Sequence, residues 1–413
     1  MVFLYNLGIR IYLLLVYIAS ISNKKAQLWL NGRKKWQKKV KSVIDPNVQT
    51  IWVHCSSLGE FEQGRPVIEN SREKYPNLKI VLTFFSPSGY EVRKDYKGAD
   101  YIFYLPIDTR KNAKVFIDLI NPKIAIFVKY EFWYFYLRYL NKKGIPTYVI
   151  SANFRESQVF FKPYGKWYRR FLQNFDHLFV QNQHSLDILK SIGITNVTVA
   201  GDTRFDRVVK VAQDAKSFPF IEQFCGSETI IVAGSTWPKD EELLVEFFKQ
   251  TPESVKLIIV PHEITQEHIQ GIQQSYPYKS ILYTNHENED PKSSRLLIID
   301  TIGMLSSIYR YGHIAYVGGG FGVGIHNTLE AATFGLPVIF GPNYYKFQEA
   351  KDLIAQKAAF SINSAKELSD FLNSLLNDEQ KRLYVGANSK KFVLSGVGAT
   401  ERILMQIASK ISL

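Results

Sequence analysis

Several short segments of the chain combine residue types that do chemistry. Ser56-Ser57-Leu58-Gly59-Glu60 directly follows an apolar run, Thr50–His54. A carboxylate at the mouth of a ligand cleft suits a general base that removes a hydroxyl proton, and Gly59 lets the backbone approach a ligand. The Ser57-to-Glu60 spacing is equally that of a capping box at a helix start. A second segment, Val317-Gly318-Gly319-Gly320-Phe321-Gly322-Val323-Gly324, runs on into Ile325-His326-Asn327-Thr328-Leu329-Glu330. A glycine-rich turn between a strand and a helix can aim backbone N–H groups at a phosphate. Its spacing is neither that of a P-loop nor a clean GxGxxG, and a turn needed only for packing remains open. Glu330, one turn into the helix, is suited to accept hydrogen bonds from ribose hydroxyls. His326 reads as a loop hydrogen-bonder rather than a ligand.

Three further turns end strands in the same half: Pro261-His262-Glu263, Phe340-Gly341-Pro342-Asn343-Tyr344-Tyr345, and Asp300-Thr301-Ile302-Gly303-Met304-Leu305. In the last of these, Thr301 is the expected helix cap. Any one of them is more often a turn than a site; with the glycine-rich segment, four such turns at strand ends in one domain are harder to dismiss. No HExxH, CxxC or Asp-x-Asp occurs, and the two cysteines, Cys55 and Cys225, form no disulfide framework. No metal and no other cofactor is expected.

The elements that must position these residues follow from the spacing of apolar runs. Thr50–His54, Lys79–Thr83, Ile124–Val128, Pro146–Ile150, His177–Val180 and Val197–Ala200 read as strands, separated by helix-length segments such as Arg110–Ile120 and Glu131–Lys143. The pattern restarts near Glu228 with strands at Thr229–Ala233, Lys256–Val260, Leu296–Ile299, Ile314–Val317 and Pro337–Phe340, and a helix at Asp240–Gln250. It closes on helices at Ala365–Leu376 and Asp378–Ile411. Repeated β-α units of this kind make parallel, doubly wound α/β sheets. The expected organisation is an apolar and basic anchor segment over 1–45, a Rossmann-like domain over 46–207, a linker over 208–227, and a second Rossmann-like domain over 228–413. A ligand is expected in the cleft between the two.

The 413 residues are 46% hydrophobic and 14% aromatic, which excludes a disordered chain. A mean hydropathy of −0.12 excludes a polytopic membrane protein. The net charge is +13, and residues 1–45, with nine basic residues and one acid, contribute +8 of it. That cluster follows the apolar stretch Val2–Ser22, whose only charge is Arg10. A cleaved signal peptide is disfavoured, because no basic residues precede the apolar run. A buried helix of the first domain is the plain alternative to an anchor held on anionic lipid, with the chain on the cytoplasmic side. A second stretch, Phe160–Phe171, interleaves aromatic and basic residues. It fits either a half-buried helix with a solvated face or a surface meeting lipid headgroups. No nucleic-acid-binding motif accompanies the charge.

In this order the motifs resemble the 3-deoxy-D-manno-octulosonic acid (Kdo) transferases of lipopolysaccharide synthesis. The resemblance rests on the apolar and basic N-terminus, Trp52–Pro66 (WVHCSSLGEFEQGRP), Glu131-Phe132-Trp133, and Ser151–Ser157 (SANFRES). It continues through Gly201–Arg207 (GDTRFDR), Ala233–Glu242 (AGSTWPKDEE), DTIGML, and VGGGFGVGIHNTLEAATFGLPVIFGP. It implies a GT-B type enzyme, two Rossmann-like domains facing across a cleft. The first would bind the lipid A precursor and the second CMP-Kdo, at the cytoplasmic face of the inner membrane. By motif, Glu60 corresponds to the general base, and Glu131 and Arg204 to transition-state residues, with Arg204 a partner for the Kdo carboxylate. Pro261, His262, Ile302, Gly303, Met304, Asn327, Thr328, Leu329 and Glu330 fall where the family holds CMP. The chain departs from the family in reading Pro261-His262 for a common Pro-Arg-His, and Lys129-Tyr130-Glu131 for a common Glu-x-Glu. It has Arg204 where Lys is common, and Ile302-Gly303-Met304 in place of Met-Gly-Glu. A UDP-sugar enzyme of the same fold, transferase or epimerase, is the main alternative; a non-catalytic membrane-surface binding protein is a further one.

Overall fold

A computed structural model of the chain describes residues 1–45, 47–322 and 324–411; Pro46, Val323, Ser412 and Leu413 lie outside the described residues. The chain divides into two compact units, Met1–Arg207 with Val397–Leu413, and Val208–Gly396. The first holds β1 (Thr50–Cys55), β2 (Lys79–Phe84), β3 (Tyr101–Tyr104), β4 (Pro122–Val128), β5 (Thr147–Ala152), β6 (His177–Val180) and β7 (Val197–Val199), in sheet order β3-β2-β1-β4-β5-β6-β7. All neighbouring pairs are parallel. The second holds β8 (Thr229–Thr236), β9 (Val255–Pro261), β10 (Ser280–Leu282), β11 (Leu296–Ile298), β12 (Ile314–Val317), β13 (Val338–Phe340) and β14 (Ala359–Ser361), in order β10-β11-β9-β8-β12-β13-β14, again parallel throughout.

Each sheet is buried on both faces, so its strands are continuous apolar runs rather than alternating ones; β1 and β9 are buried at every residue. The crossover helices bury one stripe each. In Arg110–Ile120, Thr109 caps the amide of Asn112, and Ala113, Phe116, Ile117 and Ile120 face the core at helical spacing. Asn121, at φ 43°, ends the helix in the left-handed region.

Three boundaries differ from the sequence expectation. The closing helix is two helices, Glu379–Ser395 and Ala399–Ile411, and the second of these joins the first domain rather than the second. Gly398, at φ 100°, breaks the run. Asp206 then accepts the amides of Gly398 (2.6 Å) and Thr400 (2.7 Å), anchoring the helix start. Ile403, Leu404, Ile407 and Ile411 bury among residues of β1, β2 and β4, worth about 1.5–3 kcal/mol each. The basic segment is likewise not separate from the first domain. Helix Lys24–Arg33 packs on the first domain through Trp29 and Arg33. The Arg33 guanidinium lies 3.9 Å from the Trp29 ring centroid and donates to the carbonyls of Leu105 (2.8 Å) and Phe85 (2.7 Å). Burial lowers its pKa to about 9. Finally, 208–227 is not an open linker, since helices Thr203–Gln213 and Pro219–Cys225 occupy most of it.

Helix Val2–Ala19 is apolar on two sides. Val2, Tyr5, Asn6, Ile9, Leu13, Val16 and Ser20 form a half-buried stripe at helical spacing. Phe3, Leu4, Leu7, Ile11, Leu14, Leu15 and Ile18 are exposed. By length and composition it is the one candidate membrane span among the described residues. Its start rests on the first domain: the Tyr5 hydroxyl donates to Asp108 (2.5 Å), and its ring meets Tyr134 and Phe135. Further along, Tyr12 meets Trp29 and Phe85.

Candidate active site

In a doubly wound sheet, ligands bind beyond the carboxyl ends of the strands where the strand order reverses. In the first domain that point lies between β1 and β4, and Glu60 and Glu131 stand on the two segments that leave it. Glu60 is half-buried in the first turn of helix Leu58–Lys74. Its carboxylate takes a hydrogen bond from the Ser57 hydroxyl. The expected capping box is absent, since the Ser57 side chain makes no cap bond to the backbone. Glu131 accepts the Trp133 indole N–H (2.8 Å) and meets Nε2 of the buried His54 (3.1 Å). His54 Nδ1 lies 2.8 Å from the Thr83 hydroxyl, which also accepts the Trp52 indole N–H (2.8 Å). His54 and Trp133 thus meet the Glu131 carboxylate from two sides. The Cys55 thiol, at the end of β1, is pushed well above its ordinary pKa by burial first, then by Glu60, Glu131 and Glu62.

Arg204 opens the helix after β7 and is tied to Asp202 by Nε (3.0 Å), a terminal nitrogen (2.8 Å) and its backbone amide (2.9 Å). Burial pushes the Asp202 carboxyl up, but the charge and hydrogen bonds of Arg204 outweigh it and hold the carboxyl below its usual range. Gln63, one turn after Glu60, also donates to Asp202, which brings Arg204 to the helix that carries Glu60.

The reversal point of the second sheet lies between β8 and β12, and the expected donor-site segments collect at its strand ends. His262, just past Pro261 at the end of β9, stacks on Trp237 (4.8 Å between centroids, 26° between planes) and on His326 (4.4 Å, 32°). The Trp237 indole N–H donates to His326 Nε2 (3.2 Å). Burial, then the neighbouring His262, lowers the His326 pKa to about 4, so its ring is neutral and able to accept that bond. Asp240, 1% exposed, accepts the amides of Trp237 (3.0 Å) and Gly319 (2.9 Å) and the Tyr316 hydroxyl (2.7 Å). It thereby clamps the glycine-rich turn to the helix after β8. Packing explains part of that turn: a Cβ on Gly320 would stand 2.6 Å from the Gly341 backbone.

Glu330 accepts the Ser306 hydroxyl (2.7 Å) and the Asn327 amide (3.0 Å), joining the 301–308 and 327–330 segments. The short helix there, Leu329–Ala332, follows Thr328. Ile302 is 88% exposed and Gly303 turns at φ 89°. Thr301 is not a cap: its hydroxyl donates to the Met304 sulfur, and Met304 itself precedes helix Leu305–Ile308. His54, Trp237 and Asp240 carry structural roles that strand and helix patterning does not single out. Only the acid Asp240, two residues after Pro238 in the first turn of a helix, was a readable signal, and it accepts the Trp237 amide. Among the described residues, no three His, Cys, Asp or Glu side chains gather as metal ligands would.

Two Rossmann-like domains, each built on a parallel seven-stranded sheet, make this a GT-B type fold. The UDP-GlcNAc 2-epimerase from Neisseria meningitidis, solved bound to UDP-GlcNAc, shares it at a TM-score of 0.61 and 15% identity, over 88% of this chain and all of that one. The first domain brings the chain to a family: residues 30–207 match the 3-deoxy-D-manno-octulosonic-acid transferase (kdotransferase) model. The chain is similar in sequence to proteins described as Kdo transferases. It is 29% identical to the 3-deoxy-D-manno-octulosonic acid transferase of Aquifex aeolicus (strain VF5), over 79% of this chain and 86% of that protein. It is 28% identical to that of Rickettsia bellii (strain RML369-C), over 83% of this chain and 84% of that protein.

Proposed function

We propose that the protein is an inverting glycosyltransferase that moves Kdo from CMP-Kdo to a lipid A precursor at the cytoplasmic face of the inner membrane. The observation that carries the proposal is the pair Glu60 and Glu131 at the reversal point of the first sheet, inside the segment that matches the Kdo transferases. Glu60 takes the proton of the acceptor hydroxyl as that oxygen attacks the anomeric carbon. The bond to CMP breaks on the opposite face, and its electron pair leaves on the phosphate. Glu131, held by His54 and Trp133, presents a fixed carboxylate beside the reaction. Arg204, positioned by Asp202, is the cation that meets the Kdo carboxylate in this reading. In the second domain, Pro261 and His262, the Ile302–Met304 turn and Asn327–Glu330 hold CMP. Turn N–H groups meet its phosphate, and the Glu330 carboxylate takes up ribose hydroxyls.

The N-terminal helix lies along the membrane surface in this reading. A crossing helix needs one end about 30 Å away, across the hydrocarbon. Here Tyr5 near one end and Tyr12 further along both rest on the same domain, while the opposite face offers large apolar side chains to lipid.

The test incubates the full chain in detergent with lipid A precursor and either CMP-Kdo or UDP-GlcNAc. Acceptor-dependent CMP release with a Kdo-bearing product is expected. Turnover of UDP-GlcNAc with CMP-Kdo inert would replace this reading by that of a UDP-sugar enzyme.

A further inference from the structure

The first domain holds a cavity of about 590 Å³ lined by none of the residues given a role in the transfer reaction above. Arg110 and Lys114 of helix Arg110–Ile120 and Arg138 and Lys142 of helix Tyr134–Lys142 line it, one wall from each helix. Val2 and Asn6 of the N-terminal helix close one side. None of its lining residues is acidic. Asp118, on the same helix as Arg110, is already engaged by Lys143 (2.5 Å) and the Tyr139 hydroxyl (3.0 Å). Arg138 is oriented by the Tyr134 hydroxyl (2.9 Å), which accepts from its guanidinium. Four cations around one concavity repel one another, and an anion entering it relieves that repulsion.

We propose that this cavity binds the phosphate-bearing headgroup of a membrane glycerophospholipid. Its location selects a lipid over a soluble anion: two of its residues belong to the helix whose outer face is a continuous row of exposed apolar side chains. A headgroup seated among the four cations would leave its acyl chains beside Phe3, Leu4 and Leu7. Basic pockets beside membrane-embedded helices are the general form of such sites. The proposal rests on the N-terminal helix lying in the membrane surface, and not on the transfer chemistry.

The test is co-sedimentation of the full chain with phosphatidylcholine vesicles, with and without phosphatidylglycerol. Wild type is compared with Arg110→Gln/Lys114→Gln/Arg138→Gln/Lys142→Gln and with Lys34→Gln/Lys35→Gln/Lys38→Gln/Lys41→Gln, which removes equal charge from the basic segment. The cavity variant is expected to lose the preference for phosphatidylglycerol by about tenfold or more, and the control variant several-fold less. Millimolar inorganic phosphate should not release wild type from the vesicles. Equal losses in the two variants, or release by phosphate, would overturn the lipid site. Binding to both vesicle types without preference would sink the cavity proposal alone, and binding to neither would sink the membrane-surface reading with it.

Discussion

Replacing Asp240 tests whether one buried carboxylate holds the glycine-rich turn of the second domain. Asp240→Ala leaves three donors without their acceptor: the amides of Trp237 and Gly319 and the Tyr316 hydroxyl. A buried polar group left unpaired costs about 1–3 kcal/mol, and water entering the emptied space recovers part of that. The sum is about 3–6 kcal/mol, a large share of the roughly 5–15 kcal/mol that stabilises an ordinary domain. Asp240→Asn has a different outcome. Its oxygen can serve both amides while its NH2 donates to the Tyr316 oxygen, so mainly the charge assistance is lost, about 1–2 kcal/mol. Equilibrium urea unfolding of the two variants measures the difference. A cycle with Tyr316→Phe should show coupling of about 1 kcal/mol, because the phenylalanine removes one stranded donor. If Asp240→Ala were within 1 kcal/mol of wild type, or Asp240→Asn were as damaging as alanine, the clamp would be refuted.

Two neighbouring glycines should respond oppositely. Gly320→Ala meets the Gly341 backbone and should cost about 1–3 kcal/mol, whereas Gly322→Ala, whose Cβ comes no nearer than 3.7 Å to the Gly319 carbonyl, should lie within about 0.5 kcal/mol of wild type by thermal unfolding. His326 should titrate near pH 4 by histidine ring NMR, against an ordinary value of about 6.5. Its folded pKa is the lower one, so its stabilising contribution is complete above about pH 6.5 and is lost as pH falls towards 4, where the unfolded chain takes up the proton first. A midpoint between 6 and 7 would contradict the buried, neutral ring that accepts the Trp237 N–H.

Strands buried on both faces were readable because continuous apolar runs such as Thr50–His54 and Lys256–Val260 admit little else. The sheet-edge strands β3, β10 and β14 were not read, and shortness alone does not account for it, since β7, β11 and β13 are as short and were read. Helix Ala399–Ile411 shows the limit of periodicity: Ile403, Leu404 and Ile407 announce an apolar face but not the domain it covers, which depends on Asp206, nearly two hundred residues away. In the site, Glu60 and Glu330 were legible as acids beside glycine turns at strand ends. His54 was not, because inside a strand it reads as one more sheet residue; its role exists only once β2 brings Thr83, and β4 leads to Glu131, on either side of it. Arg204 was legible by motif, yet its pairing with Asp202 belongs to the fold.

In the proposed reaction Glu60 removes the acceptor proton during Kdo transfer. Single-turnover transfer from CMP-Kdo to the lipid A precursor, wild type beside Glu60→Gln, tests it most directly. Glutamine keeps the shape and can still meet the Ser57 hydroxyl, so unfolding and CMP-Kdo binding should be unchanged while the transfer rate falls by about 10²–10⁴. A Glu60→Gln rate within a few-fold of wild type, at equal donor binding, would contradict the account.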